Sequence, residues 1–213
     1  MPRVVEETEV RIEWADIESR VTHERPAKYK RTPGKHLSSV LRYIATTAGI
    51  LKGVDPKTGK WKGDTTLDED EMPLRMALGM AWEDWAVGLY PEMVWQPGEI
   101  ERDNVYGTPD GLSAITLGNL EICIDEFKCT WKSSHQRPIL GEWMWMNQGM
   151  GYCAMSQMDI RYVRYHVMYV CGNYRPPAPS YMRYLVEYSQ QEIDRTWALV
   201  MRNKDKEGVK REE

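Results

Sequence analysis

The run Leu120–Trp131 and the stretch just before it constrain this chain more than any other part of the sequence. Leu120–Trp131 reads as a strand, and Asp110–Gly118 can run back beside it as the other arm of a hairpin. Glu126 and Lys128 are two apart in that strand, so carboxylate and amine project from the same face. Asp110, in the turn-forming segment Gly107-Thr108-Pro109-Asp110-Gly111, then comes alongside Glu126. Two carboxylates and a lysine at one point make a poor core but a good divalent-metal site for phosphodiester chemistry.

The flanking segments set this hairpin in an α/β frame. Residues 1–35 are polar, with Pro26, Pro33 and Gly34, and read as an N-terminal arm. Leu37, Val40, Leu41 and Ile44 give Lys35–Leu51 helical spacing, and Gly53–Glu71 reads as a loop. Pro73 suits a first helical turn, and the helix it opens runs to Tyr90, stopped by Pro91. Met93–Ile100, Asn104–Thr116 and Leu120–Trp131 follow as strands, then a helix over Ile139–Gln157. Arg161–Cys171 and Ser180–Tyr188 read as further strands, Gln190–Arg202 as a closing helix, and residues 204–213 as a charged tail. This order predicts an α/β sandwich with a mixed central β-sheet flanked by helices, with 36–203 as a single domain.

At 213 residues, 42% hydrophobic and 28% charged, the chain is long enough and apolar enough to bury a real core. Its apolar runs are too short to span a membrane, and its first residues resemble no secretory signal. Cys123, Cys129, Cys153 and Cys171 form no CxxC pair, so reduced thiols and a cytoplasmic setting are expected. The net charge of −4 argues at first against a polyanionic partner. The charges are segregated, however: Arg25–Arg42 and Arg161–Val186 hold cations and no acid, whereas Asp64–Glu71 holds five carboxylates. Such a distribution can hold a nucleic acid on one face. Nine Trp and twelve Tyr against a single Phe also suit surfaces that stack on bases.

Two helices add to the cluster. Glu83 lies among Leu78, Met80, Ala81, Trp82, Trp85, Ala86 and Val87, where an ionised carboxylate needs a partner, a hydrogen bond or a metal. Asp84 points about 100° further around the helix, toward solvent. Gln148 and Tyr152 are four apart and so share one face of the Ile139–Gln157 helix. Gly149 and Gly151 weaken that helix by roughly 1 kcal/mol each but permit close approach of a neighbouring element.

Taken together, Thr108-Pro109-Asp110, Glu126-x-Lys128, the Glu83 helix before them and Gln148-x-x-x-Tyr152 after them resemble the PD-(D/E)xK nuclease superfamily. Their order is similar to its RecB-like and lambda-exonuclease-like branch, over roughly Pro73–Arg164. Two departures stand out. No histidine lies between His36 and His135, so Glu83 takes the place of the metal-binding histidine usual in RecB-type members. No cysteine precedes Cys123 and there is no C-terminal cysteine trio, so no iron–sulfur cluster is expected.

The resemblance implies a restriction-endonuclease-like core and a Mg²⁺- or Mn²⁺-dependent DNA exonuclease of phage or prokaryotic recombination or repair. It implies metal ligation by Asp110, Glu126, the Phe127 carbonyl and Glu83, and places Lys128 at the attacking water or the charged phosphate. Gln148 and Tyr152 would position the substrate backbone, and Lys132, His135 and Arg137 would contact neighbouring phosphates. Asp125 is excluded, because strand alternation turns it away from Lys128. DNA is the expected partner, with a single-strand annealing or recombination protein and a second copy of the chain as further expectations. A flap-type endonuclease and a catalytically lapsed nucleic-acid-binding protein of the same fold are the alternatives.

Overall fold

The computed structural model describes residues 1–10, 32–51, 74–131, 138–170, 179–209 and 211, with the backbone alone for 74–77. Lys132, His135, Arg137 and Cys171 lie outside the described residues.

A six-stranded mixed sheet organises the molecule. Its strands are β1 (Arg3–Glu9), β3 (Val94–Trp95), β6 (Gly111–Leu117), β7 (Asn119–Thr130), β8 (Tyr162–Tyr169) and β9 (Ser180–Glu187), in the order β1-β9-β8-β7-β6-β3. Only β7 and β8 run parallel; the other neighbours are antiparallel. A three-stranded sheet of β2 (Lys35–His36), β5 (Val105–Gly107) and β4 (Ile100–Arg102) stands beside it. The helices are α1 (Leu37–Thr47), α2 (Leu74–Val87), α3 (Trp143–Met155) and α4 (Gln190–Asn203).

Both faces of the main sheet are covered. On one face Ile124, Val163, Tyr165, Val167, Tyr184 and Val186 pack with Leu37, Val40 and Leu41 of α1, Met150 and Cys153 of α3, and Trp197 and Val200 of α4. On the other, Phe127 and Tyr181 pack with Trp82 and Ala86 of α2 and with Tyr90 and Met93. β8 is covered on both faces, so His166 on one face is as buried as Val163, Tyr165 and Val167 on the other. The two helix glycines serve the first face: a Cβ on Gly149 would strike the Tyr165 hydroxyl, and one on Gly151 would sit 2.5 Å from Leu37 Cδ2. α3 therefore lies close to both β8 and α1.

Several boundaries differ from the sequence reading. Met93–Ile100 is not one strand, because Gln96 and Gly98 take φ of 46° and 111° and break the extended chain after Trp95. Asn104–Thr116 is likewise two strands: β5 belongs to the small sheet and β6 to the main one, and Thr108–Asp110 carries the chain between them. At the N-terminus, Arg3–Glu9 is an edge strand on β9, held by Arg3–Glu187 and Arg183–Glu6 ion pairs, rather than part of an arm. At the other end, Val209 is buried in the core, so the charged tail is anchored at that point.

Candidate active site

β6 ends where Gly111 pairs with Asp125, while β7 continues to Thr130 with β8 on its other side only. Glu126, Phe127 and Lys128 thus lie on a stretch of β7 whose β6-side edge is no longer covered by strand. Asp110, at the end of the crossover from the small sheet, fills the gap: its Oδ2 accepts the Phe127 N–H at 2.8 Å. Within a strand, a residue's N–H and C=O leave the backbone on the same side. The Phe127 carbonyl therefore also faces the Asp110 edge.

Glu126 and Lys128 project to the α3 side, as their spacing predicts. Lys128 Nζ donates to Glu126 Oε2 at 2.5 Å and to Gln148 Oε1 at 3.3 Å. Gln148 Nε2 donates to the Tyr152 hydroxyl at 2.9 Å, which donates in turn to the Thr108 carbonyl at 3.1 Å. One hydrogen-bonded path thus joins Glu126, Lys128, Gln148 and Tyr152 to the segment that carries Asp110. Glu83 approaches from α2, where the Trp95 indole N–H donates to its Oε1 at 3.4 Å. Asp84, expected at the solvent side, is half-buried. Glu126, Lys128, Gln148 and Tyr152 are therefore linked by direct hydrogen bonds, Asp110 joins them through the Phe127 N–H, and Glu83 lies within electrostatic reach of Glu126 and Lys128.

The electrostatics record this crowding. Glu126 is fully buried, and burial followed by the Asp110 charge pushes its pKa up to about 8, against the pull of Lys128. Burial likewise raises Asp110, only partly offset by Lys128 and the Phe127 N–H. For Lys128 burial works downward, but Glu126, Asp110 and Glu83 outweigh it and hold the ammonium charged. Three carboxylates face one ammonium, and buried Glu126 Oε1 has no hydrogen-bond partner. Among the described residues, no three His, Cys, Asp or Glu side chains form a ready-made cage for a metal ion. The physical reason lies in the bonds just given, with Glu126 Oε2 turned to Lys128 and Asp110 Oδ2 to Phe127. The donor set itself is hard oxygen with an excess of negative charge, which fits Mg²⁺ or Mn²⁺.

Behind the site runs a polar network that the sequence reading did not anticipate. Asp125, turned away from Lys128 as expected, is fully buried and accepts from Ser113 Oγ at 2.5 Å. It also bonds His166 Nε2 at 2.9 Å, and Arg164 stands 3.5 Å away. His166 Nδ1 bonds the Tyr181 hydroxyl at 2.6 Å, and Tyr181 bonds Tyr90 at 2.6 Å. Phe127 stacks on the His166 ring, with centroids 4.6 Å apart and 20° between planes. The network thus braces the residue whose backbone holds Asp110. The available signal is positional: in the parallel pairing His166 falls opposite Phe127. Without a β7–β8 register, no sequence pattern links the two.

The described cysteines Cys123, Cys129 and Cys153 are free thiols. Cys123 is buried on the Asp125 face, where burial pushes its pKa up to about 12, so it is an inert core residue. Among the described residues, no helix is long and apolar enough to cross a membrane.

No family model matches this chain, and neither does any characterised protein sequence. Among solved structures, it is similar to an alkaline exonuclease (LHK-Exo) from Laribacter hongkongensis. The identity is 19%, over 62% of this chain and 68% of that one, with a TM-score of 0.46. It is also similar to SSO0001, at 10% identity over 88% of this chain and 82% of that one, with a TM-score of 0.45. At these scores the likeness assigns neither activity nor substrate.

Proposed function

We propose that this chain is a metal-dependent deoxyribonuclease of the PD-(D/E)xK type, acting on DNA ends as an exonuclease. One observation carries the reading. Three carboxylates, Glu83, Asp110 and Glu126, gather around a single ammonium, Lys128, at the edge of β7 that β6 leaves uncovered. A buried cluster with surplus negative charge costs stability and is retained where a cation compensates it. Asp110, Glu126, the Phe127 carbonyl and Glu83 would hold Mg²⁺ or Mn²⁺, which when bound acidifies a water and offsets charge on the scissile phosphate.

The protein's own groups supply the rest. Lys128, fixed between Glu126 and Gln148, keeps an ammonium beside the reacting phosphate, where a placed cation favours the more highly charged transition state. Gln148 and Tyr152 tie α3 to the Thr108 carbonyl and so hold the Asp110 segment and a substrate strand in one frame.

End-labelled linear DNA and closed circular DNA, single- and double-stranded, test the reading when incubated with Mg²⁺, with Mn²⁺ and with chelator. The expected result is digestion of linear DNA alone, abolished by chelator. Cleavage of circles would establish the endonuclease alternative. DNA binding with no cleavage under any metal condition would leave the lapsed nucleic-acid-binding protein.

A further inference from the structure

Beside β5, away from the carboxylate cluster, lies a cavity of ≈ 280 Å³ lined by Lys35, Asn104, Tyr106, Lys204, Asp205 and Arg211. Its volume is near the small end of ligand sites, enough for a phosphate and its sugar. Three cations face one carboxylate. The Lys35 ammonium, with a side chain only 12% exposed, is 2.5 Å from Asp205 Oδ1, and Lys204 Nζ donates to the Asp103 carbonyl at 2.6 Å. Each ammonium has three donors, so both keep capacity for a further acceptor. Arg211 adds a planar fork that matches phosphate oxygens. Lys204 and Arg211 both add to the field that, with Lys35, lowers the Asp205 pKa, so the four charged groups form one cluster.

The aromatic part of the wall is built rather than incidental. Tyr106 lies against Gly34, whose φ is 150° and where a Cβ would come within 2.8 Å of Tyr106 Cε2. His36 flanks the same ring at 5.9 Å between centroids. The ring is thereby held in the wall of the cavity. A purely structural role, latching the segment after α4 to the core, explains the Lys35–Asp205 and Lys204–Asp103 bonds. It does not explain a third cation beside an open cavity whose only carboxylate among the described residues is already paired.

We propose that this cavity binds a phosphate ester, carried either by a DNA strand or by a free nucleoside monophosphate. Tyr106 and Asp110 are four residues apart, at most about 13 Å of extended chain, so one strand can reach both sites. That the phosphate belongs to DNA rests on the proposed nuclease function; that the cavity is a phosphate site does not.

The test uses the full chain in chelator, where no DNA is cut. It compares wild type, the double variant Lys204→Ala/Arg211→Ala, and Asp205→Asn. Anisotropy of labelled duplex and single-stranded DNA across a salt series gives affinity and its salt slope, and calorimetry with deoxyadenosine monophosphate reads the free nucleotide. For a DNA phosphate, the double variant binds DNA about tenfold or more weakly and loses about one unit of log–log salt slope. Asp205→Asn binds it more tightly. For a free nucleotide, the same two opposite shifts occur in the calorimetry and not with DNA. Unchanged binding of both ligands in both variants overturns the proposal, as does a loss of urea stability with no change in either binding measurement. Hydrolysis of bis(4-nitrophenyl) phosphate with Mn²⁺ reads the carboxylate site separately and is expected to be equal in all three proteins. If wild type cleaves neither this diester nor DNA, the nuclease reading fails while the binding comparison still decides the cavity.

Discussion

The Asp110 carboxylate takes the place of a missing strand residue, accepting the Phe127 N–H at 2.8 Å just beyond the last β6–β7 pair, Gly111 with Asp125. A side chain that closes a ladder cannot be removed without exposing the strand it caps. Asp110 thus has a structural role and a proposed chemical one, and the two can be separated by substitution.

Asp110→Asn keeps an acceptor for the Phe127 N–H but lowers the negative charge. It should unfold within about 1 kcal/mol of wild type while losing at least about 100-fold in DNA hydrolysis. Asp110→Ala leaves the N–H unpaired and should cost a further ~1–3 kcal/mol by urea titration. An active, folded Asp110→Ala would sink the site assignment.

Lys128→Met tests the ion pair. Glu126 is fully buried and would keep no countercharge, a loss that in buried pairs costs roughly 3–5 kcal/mol when the remaining group is ionised. Glu126 can escape part of that cost by taking up a proton, since burial and Asp110 already push its pKa up to about 8. The destabilisation should therefore be small at pH 6 and grow by pH 9. Urea unfolding at the two pH values reads it, and hydrolysis should be lost at both.

The same shift predicts how the wild-type protein responds to pH without metal. A carboxyl with an ordinary pKa of 4.5 in the unfolded chain and about 8 when folded binds more protons in the native state between those values. Stability must then fall as pH rises through that window, by up to a few kcal/mol, and Asp110 contributes with the same sign. His166, lowered by burial, opposes this only below its ordinary value of 6.5, where acid destabilises the fold. Thermal unfolding in chelator from pH 6.5 to 8.5 should show the decline, and millimolar Mn²⁺ should flatten it. A flat profile in chelator would mean that the carboxylates are not crowded as described.

The parts of this site that sequence made legible are those governed by local geometry. Period-two spacing is enough to put Glu126 and Lys128 on one face and Asp125 on the other, and helical spacing puts Gln148 beside Tyr152. The β6–β7 hairpin was readable because Gly118, at φ 86°, marks its turn between two β-rich runs. What was not readable depends on register and crossover. Asn104–Thr116 looks like one strand because its residue types favour extension throughout, and only the tertiary placement of two sheets divides it at Thr108–Asp110. Arg3–Glu9 has too few apolar residues to signal a strand, and it is held as an edge by pairing with β9 and by charge. The His166–Phe127 stack and the Asp125–His166–Tyr181–Tyr90 chain join residues up to 91 apart, beyond any local pattern.

Gln148 and Tyr152 provide the last test, because both contact the cluster without carrying charge. Tyr152→Phe removes the bonds to the Thr108 carbonyl and from Gln148 Nε2 but keeps the ring that packs against Gly107. Each neutral hydrogen bond lost costs about 1 kcal/mol, so KM for DNA should rise several-fold, with folding destabilised by no more than about 2 kcal/mol. Gln148→Ala frees Lys128 from one of its two partners while leaving Glu126 in place. It should impair hydrolysis by about tenfold, well short of the loss in Asp110→Asn, and mainly through kcat if the ammonium acts on the reacting phosphate. A Gln148→Ala defect equal to that of Asp110→Asn would place the glutamine at the metal or the water instead of at the substrate strand.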